Sequence, residues 1–129
     1  MTTNSEIQPA QGALDVLDRH FVALNARDPE ALAATLHFPH YRLGRGAMKV
    51  WATPETYLDD FFARAQPNWD HSLLIFRRAL AASPDKVHFD IGFERYDQNA
   101  VVIGTYRSLW VVTKRDGKWA AALRSSFAE

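Results

Sequence analysis

The sequence predicts an α+β fold, with three helices packed on a strongly bent, mostly antiparallel sheet of about six strands. Three observations predict it. Apolar residues recur at helical spacing through the first half, behind Asp-Pro and Thr-Pro helix starts. From Asp70 onward the pattern changes to long runs bounded by turn signals such as Ser83-Pro84-Asp85 and Asp116-Gly117. The length of 129 residues, with 47% apolar and 23% charged, suits one core over residues 10–129.

Residues 1–9 are polar and carry Pro9, so they are expected to form a flexible tail. Between Ala13 and Ala26, Leu14, Leu17, Phe21 and Leu24 fall on one helical face. A second, short helix over "RDPEALAATLHF" starts at Asp28 as N-cap, with Pro29 in its first turn, and Pro39 should end it. His40 to Leu43 and Met48 to Ala52 read as extended pieces joined at Gly44-Arg45-Gly46. Thr53 caps a third helix whose buried stripe is Tyr57, Leu58, Phe61 and Phe62. The strands "HSLLIFRRALAA", "KVHFDIGFERY", "VVIGTYRSLWVVTKR" and "KWAAALRSSF" follow. Gly92 and Gly104 are natural positions for bulges or bends that curl the long strands, and a sheet curled around helices leaves a cavity at its open end.

Fifteen basic residues balance fifteen acidic ones, and no basic stripe is interleaved with aromatics, which argues against nucleic acid as a partner. No run of apolar residues approaches membrane-spanning length. The opening "MTTNSEIQPAQG" lacks the basic flank and apolar run of a signal peptide, so a cytoplasmic location is expected. Without cysteine there is no disulfide, thiolate or Cys-based zinc chemistry. Gly-rich phosphate loops and nucleophile elbows are absent too, and no cofactor is expected.

Two helices, a short hairpin, a third helix and a long antiparallel meander resemble the nuclear transport factor 2-like superfamily, in its SnoaL-like and ketosteroid-isomerase-like branches. "RDGKWAAALRSSF" is similar to the terminal hairpin of those proteins, and the resemblance spans Ala13 to Phe127. It implies the cone-shaped fold and a small-molecule pocket. Members include isomerases, dehydratases, cyclases and noncatalytic binding domains. In ketosteroid-isomerase-like members it also implies a catalytic aspartate on the first strand and an oxyanion-stabilising tyrosine on the first helix. Here no Asp or Glu lies between Glu30 and Glu55, and no Tyr lies between Ala13 and Ala26.

Basic residues occupy that stretch instead. Strand alternation puts His40 and Arg42 on one side, with Tyr41 and Leu43 on the other. If Tyr41 and Leu43 take the core, the basic pair faces solvent. If the strand lines the cavity, His40 and Arg42 can hold a carboxylate, an enolate or a phosphate. His37 and His40 have metal-ligand spacing, but Pro39 breaks the helix that would align them and no third ligand is near, so no metal is expected.

Further along, Trp69, Asp70 and His71 stand at the start of the first long strand. Alternation sends Asp70 and His71 to opposite faces, which argues against a dyad. Tyr106, Ser108 and Trp110 share a face that suits either a ligand wall or a dimer surface. On the last strand Trp119, Ala121 and Leu123 read as core, leaving Arg124 and Ser126 opposite; Arg124 can be another anion contact, but a solvated or interface position is the one expected. No role is apparent for His20 or His88.

The resulting expectation is a homodimer whose cavity is reached by His40 and Arg42 and walled by Trp51, Phe61, Tyr106 and Trp110, with His71 as a further catalytic candidate. Its ligand is a small cyclic or aromatic carbonyl or carboxylate compound. Two functions fit: a cofactor-independent isomerase, cyclase or lyase, or a noncatalytic ligand-binding or accessory domain.

Overall fold

The computed structural model describes residues 7–64 and 67–128. Most of the tail expected over residues 1–9 therefore lies outside the described residues. Helix α1 spans Gln11–Ala26 and ends on Arg27, whose left-handed backbone (φ 54°) lets its N–H reach back to the last turn. Asp28 caps α2 (Pro29–Ala33), its carboxylate accepting the Ala31 amide at 3.1 Å. The predicted helix through Phe38 is too long. Leu36 is already paired with Ala121 in the sheet, so the extended chain begins three residues before Pro39.

The remaining elements are β1 (Leu36–Gly44), β2 (Ala47–Trp51), α3 (Pro54–Arg64), β3 (His71–Ser83), β4 (Lys86–Tyr96), β5 (Val102–Arg115) and β6 (Lys118–Ser126). They form one six-stranded sheet in the order β2-β1-β6-β5-β4-β3. Every neighbouring pair is antiparallel except β1 and β6. The α+β class and the curled, mostly antiparallel sheet thus agree with the sequence. Of the three two-residue hairpin loops, Arg45-Gly46 and Asp116-Gly117 have positive φ at both positions, the conformation that matches strand twist, and Pro84-Asp85 does not.

Bulges bend the long strands. Leu74 pairs with Phe93 while Phe76 pairs with Gly92, so Ile75 is an extra residue in β3 beside Gly92. Gly92 has no Cβ, and the Phe76 ring occupies that space. Near Gly104, Ile103 is skipped between the Gly104 and Val102 pairings with β4. Two further bulges fall at Leu80 in β3, between the pairs Ala79–Phe89 and Ala81–His88, and at Ala122 in β6, between the pairs Val112–Ala121 and Val111–Leu123.

The concave face presents Val87, Phe89 and Ile91 of β4 with Trp110 and Val112 of β5. Val16, Leu17 and Phe21 of α1 belong to the same buried cluster. Phe62, expected in the buried stripe of α3, is exposed instead, while Tyr57 of the same helix is buried. The core fills one end of the curl. The other end stays open.

Candidate functional site

The site is built around Arg124, and the Ala122 bulge puts it there. Strict alternation from Trp119 through Ala121 would turn Leu123 inward and Arg124 outward. One extra residue reverses that parity. Leu123 pairs with Tyr41 and Val111, while Arg124 pairs with Arg42 and Trp110 and lines the cavity.

Among the described residues the partners of Arg124 are all neutral. Its Nε–H donates to His40 Nε2 at 3.1 Å, and one terminal N–H donates to the Tyr57 hydroxyl at 3.4 Å. The guanidinium also lies 5.3 Å from the Trp110 ring centroid and 5.8 Å from that of Tyr57. Aromatic faces attract a cation without neutralising it. A half-buried positive charge therefore borders the cavity with its guanidinium fork only partly used.

His40 holds that fork in place. Its Nδ1 lies 3.1 Å from the Ala121 carbonyl, so Nδ1 carries the proton and Nε2 is left to accept from Arg124. Burial, then the Arg124 charge, lowers its pKa from 6.5 to about 3. The ring is fully buried, packed against Trp51 and Tyr57.

The cavity has a volume of about 780 Å3, within the range of small-molecule sites. Phe21, Leu24, Phe61, Phe93 and Trp110 supply apolar wall. Trp69 lines it as well, its indole N–H donating to Ser72 Oγ at 2.9 Å. Asn25 clamps the Ser72 backbone on both its N–H and C=O, which fixes the start of β3 against α1. Arg42, Arg45, Lys49 and Arg95 also contribute to the wall, and no carboxylate does among the described residues. Lys49 is paired with Asp60 at 2.7 Å, and Arg42 donates to the Ala128 carbonyl.

His20 lines the cavity from α1, although nothing in the sequence singled it out beyond its place beside Phe21. Its Nδ1 is 2.8 Å from Thr35 Oγ1, and its ring packs edge-on to Trp110 at 4.8 Å. Burial, then Arg124 and His40, holds its pKa well below 6.5. Among the described residues the Trp110 indole N–H is buried without a hydrogen-bond partner.

Of the residues expected at the site, Arg42, Phe61, Trp69, Ser108 and Trp110 line the cavity. The others lie elsewhere, for identifiable reasons. His40 and Trp51 pair across β1 and β2 on the inner face, but they sit in the core beneath Arg124; the Trp51 indole N–H reaches Asp60 at 3.1 Å. Tyr106 stands behind Arg95, whose guanidinium lies 4.8 Å from its ring centroid. Asp70 and His71 do pair, at 2.9 Å, contrary to the alternation argument. Asp70 precedes β3, so strand geometry does not govern it, and the His71 ring stacks on Tyr96 away from the cavity.

His37 donates to the Thr113 carbonyl on β5 while His40 turns to β6, so the two rings do not converge. Among the described residues no three His, Asp or Glu side chains group as metal ligands. No described helix is long and apolar enough to cross a membrane.

Neither a protein-family model nor any curated protein matches the sequence. Solved structures do match in shape. A Nostoc punctiforme protein of unknown function with a cystatin-like fold superposes with a TM-score of 0.77 at 14% identity, over 95% of this chain and 96% of its own. A ketosteroid isomerase-like protein from Erwinia carotovora atroseptica gives 0.71 at 16% identity, over 91% and 93%. An NTF2-like protein from Cytophaga hutchinsonii gives 0.71 at 19% identity, over 95% and 100%. At such identities the likeness concerns the fold.

Proposed function

From the nuclear transport factor 2-like fold that this chain adopts, we propose that its cavity binds a small organic anion with an aromatic or alicyclic body. One observation carries the reading: Arg124 borders an aromatic-walled cavity while its partners among the described residues are all neutral. A cation held in partly desolvated surroundings is costly unless an anion or strong acceptor meets it. A ligand carboxylate supplies that partner through a charge-assisted, two-pronged hydrogen bond. The ligand's ring takes the apolar wall.

Binding is favoured over acid–base turnover at His40, since both ring nitrogens of that histidine are engaged with the protein. Isothermal titration of 2-naphthoate against its neutral isostere 2-naphthamide tests the proposal. The acid should bind at least tenfold more tightly. Equal affinities would remove the anion site.

The proposal extends to a cytoplasmic homodimer. The convex face of the sheet exposes Leu43, Met48 and Val50 at one side and Ile75, Phe76 and Leu80 at the other. A monomer seldom leaves so much apolar surface wet. Phe127, 75% exposed, projects beside a shallow groove of about 300 Å3 that Leu80 and Leu109 help to line. A face with both a projecting ring and a groove suits isologous pairing with a second copy. Sedimentation equilibrium at low micromolar concentration should report twice 14.6 kDa; a single 14.6 kDa species would contradict the dimer.

A further inference from the structure

His20 is a buried histidine that the anion site does not use. Its tautomer follows from its neighbours. Thr35 Oγ1 lies 2.7 Å from the Leu32 carbonyl, which can only accept, so the single hydroxyl proton of Thr35 points there. The same oxygen must then accept from His20, 2.8 Å away, and His20 carries its proton on Nδ1. That leaves a lone pair on Nε2. The ring is 3% exposed and forms part of the cavity wall, and Nε2 has no hydrogen-bond partner among the described residues.

A second proton on this ring is disfavoured from every side that packs on it. Thr35 offers no further acceptor, Trp110 presents an aromatic edge, and the charged or titratable groups nearby are Arg124 and His40. His20 is therefore a neutral acceptor looking into the cavity, whereas Arg124 is a donor looking into the same space. Both flank one indole, Trp110, with His20 at 4.8 Å and Arg124 at 5.3 Å from its ring centroid. Both therefore border the same part of the cavity wall, within reach of one bound ring system.

We infer that the ligand is bifunctional: a carboxylate that meets Arg124 and, on the same ring system, a hydrogen-bond donor (hydroxyl or N–H) that His20 Nε2 accepts. This rests on the anion-binding reading and narrows it to hydroxy- or amino-substituted cyclic acids. A buried acceptor left unmatched discriminates against ligands lacking the donor, because it loses water without gaining a partner.

The test is titration of four probes on one scaffold: 2-naphthoate and its 6-hydroxy, 6-amino and 6-methoxy derivatives. With the unaltered protein, the hydroxy and amino acids should bind on the order of fivefold more tightly than the parent and the methoxy compound. The two donor arms also show which group is preferred. In His20→Asn the amide can replace the Nδ1–H contact to Thr35 while Nε2 is lost, and the four probes should become equal.

Four equal affinities for the unaltered protein would overturn the role of His20 and leave the anion site standing, as would a methoxy acid that binds as well as the hydroxy acid. A donor preference that survives His20→Asn would place the acceptor elsewhere and also overturn it. If none of the four acids binds, the anion site itself falls. The probe comparison on the unaltered protein decides the question even if the variant does not fold.

Discussion

Replacing Arg124 with methionine is expected to weaken 2-naphthoate binding by about 1.5–3 kcal/mol, the range for a hydrogen bond to a charged group. That corresponds to roughly a 10- to 150-fold rise in Kd by titration calorimetry. Binding of 2-naphthamide should change little, because methionine keeps most of the apolar stem. Arg42→Met should have a smaller effect. Arg42 also lines the cavity, but it donates to the Ala128 carbonyl, so part of its role is to hold the end of the chain. If Arg124→Met affects acid and amide alike, the loss is one of shape and the charge plays no part.

Acid should unfold this protein from an unusually high pH. The His40 pKa is about 3 in the folded state, against the ordinary histidine value of 6.5 that applies once the chain unfolds. Below pH 6.5 the unfolded chain therefore binds a proton that the folded chain refuses. Stability is then complete above about pH 6.5 and falls as pH drops toward 3. At pH 4.5 the loss from this ring alone is about 3 kcal/mol, and His20, shifted the same way, adds to it. Urea unfolding at pH 7 and pH 4.5 measures the sum. His40→Gln preserves an acceptor for Arg124 and cannot titrate, so its pH 7 to pH 4.5 difference should shrink by about that 3 kcal/mol. Equal slopes for the two proteins would mean that His40 does not resist protonation.

Much of the fold was legible because its signals are local. Asp28-Pro29 and Thr53-Pro54 mark helix starts, and Asp116-Gly117 marks a hairpin, through the backbone of the residues themselves. The candidate site was legible where strand alternation survived, as at Arg42, Ser108 and Trp110, and where an aromatic marked a helix stripe or a strand entry, as at Phe61 and Trp69. The sequence favours a solvated or interface position for Arg124 over an anion contact because the parity count crosses the Ala122 bulge, and no turn residue announces that bulge. His20 was missed for another reason. It falls on the buried face of α1 among Leu17 and Phe21, where a histidine looks like ordinary core until its Thr35 partner and the open Nε2 are seen. Alternation puts His40 on the same side as Arg42 and leaves open whether that side faces the cavity or solvent. The structure turns His40 into the core, where it braces Arg124 instead of lining the cavity.

The Ala122 bulge has an evolutionary consequence. Deleting Ala122 would leave Leu123 and Arg124 opposite Val111 and Trp110 as they are. Drawing Ala122 into the ladder opposite Val111 would instead shift the final segment of β6 by one register step and exchange its two faces from position 123 onward. Leu123 would then enter the cavity and the guanidinium would leave it for the convex face, while the strand kept its composition. A one-residue slip of register would thus take the charge out of the cavity and leave a greasier interior. Descent within such a lineage can gain or lose a charged cavity through a change of register that substitution-based comparison of sequences would score as almost nothing.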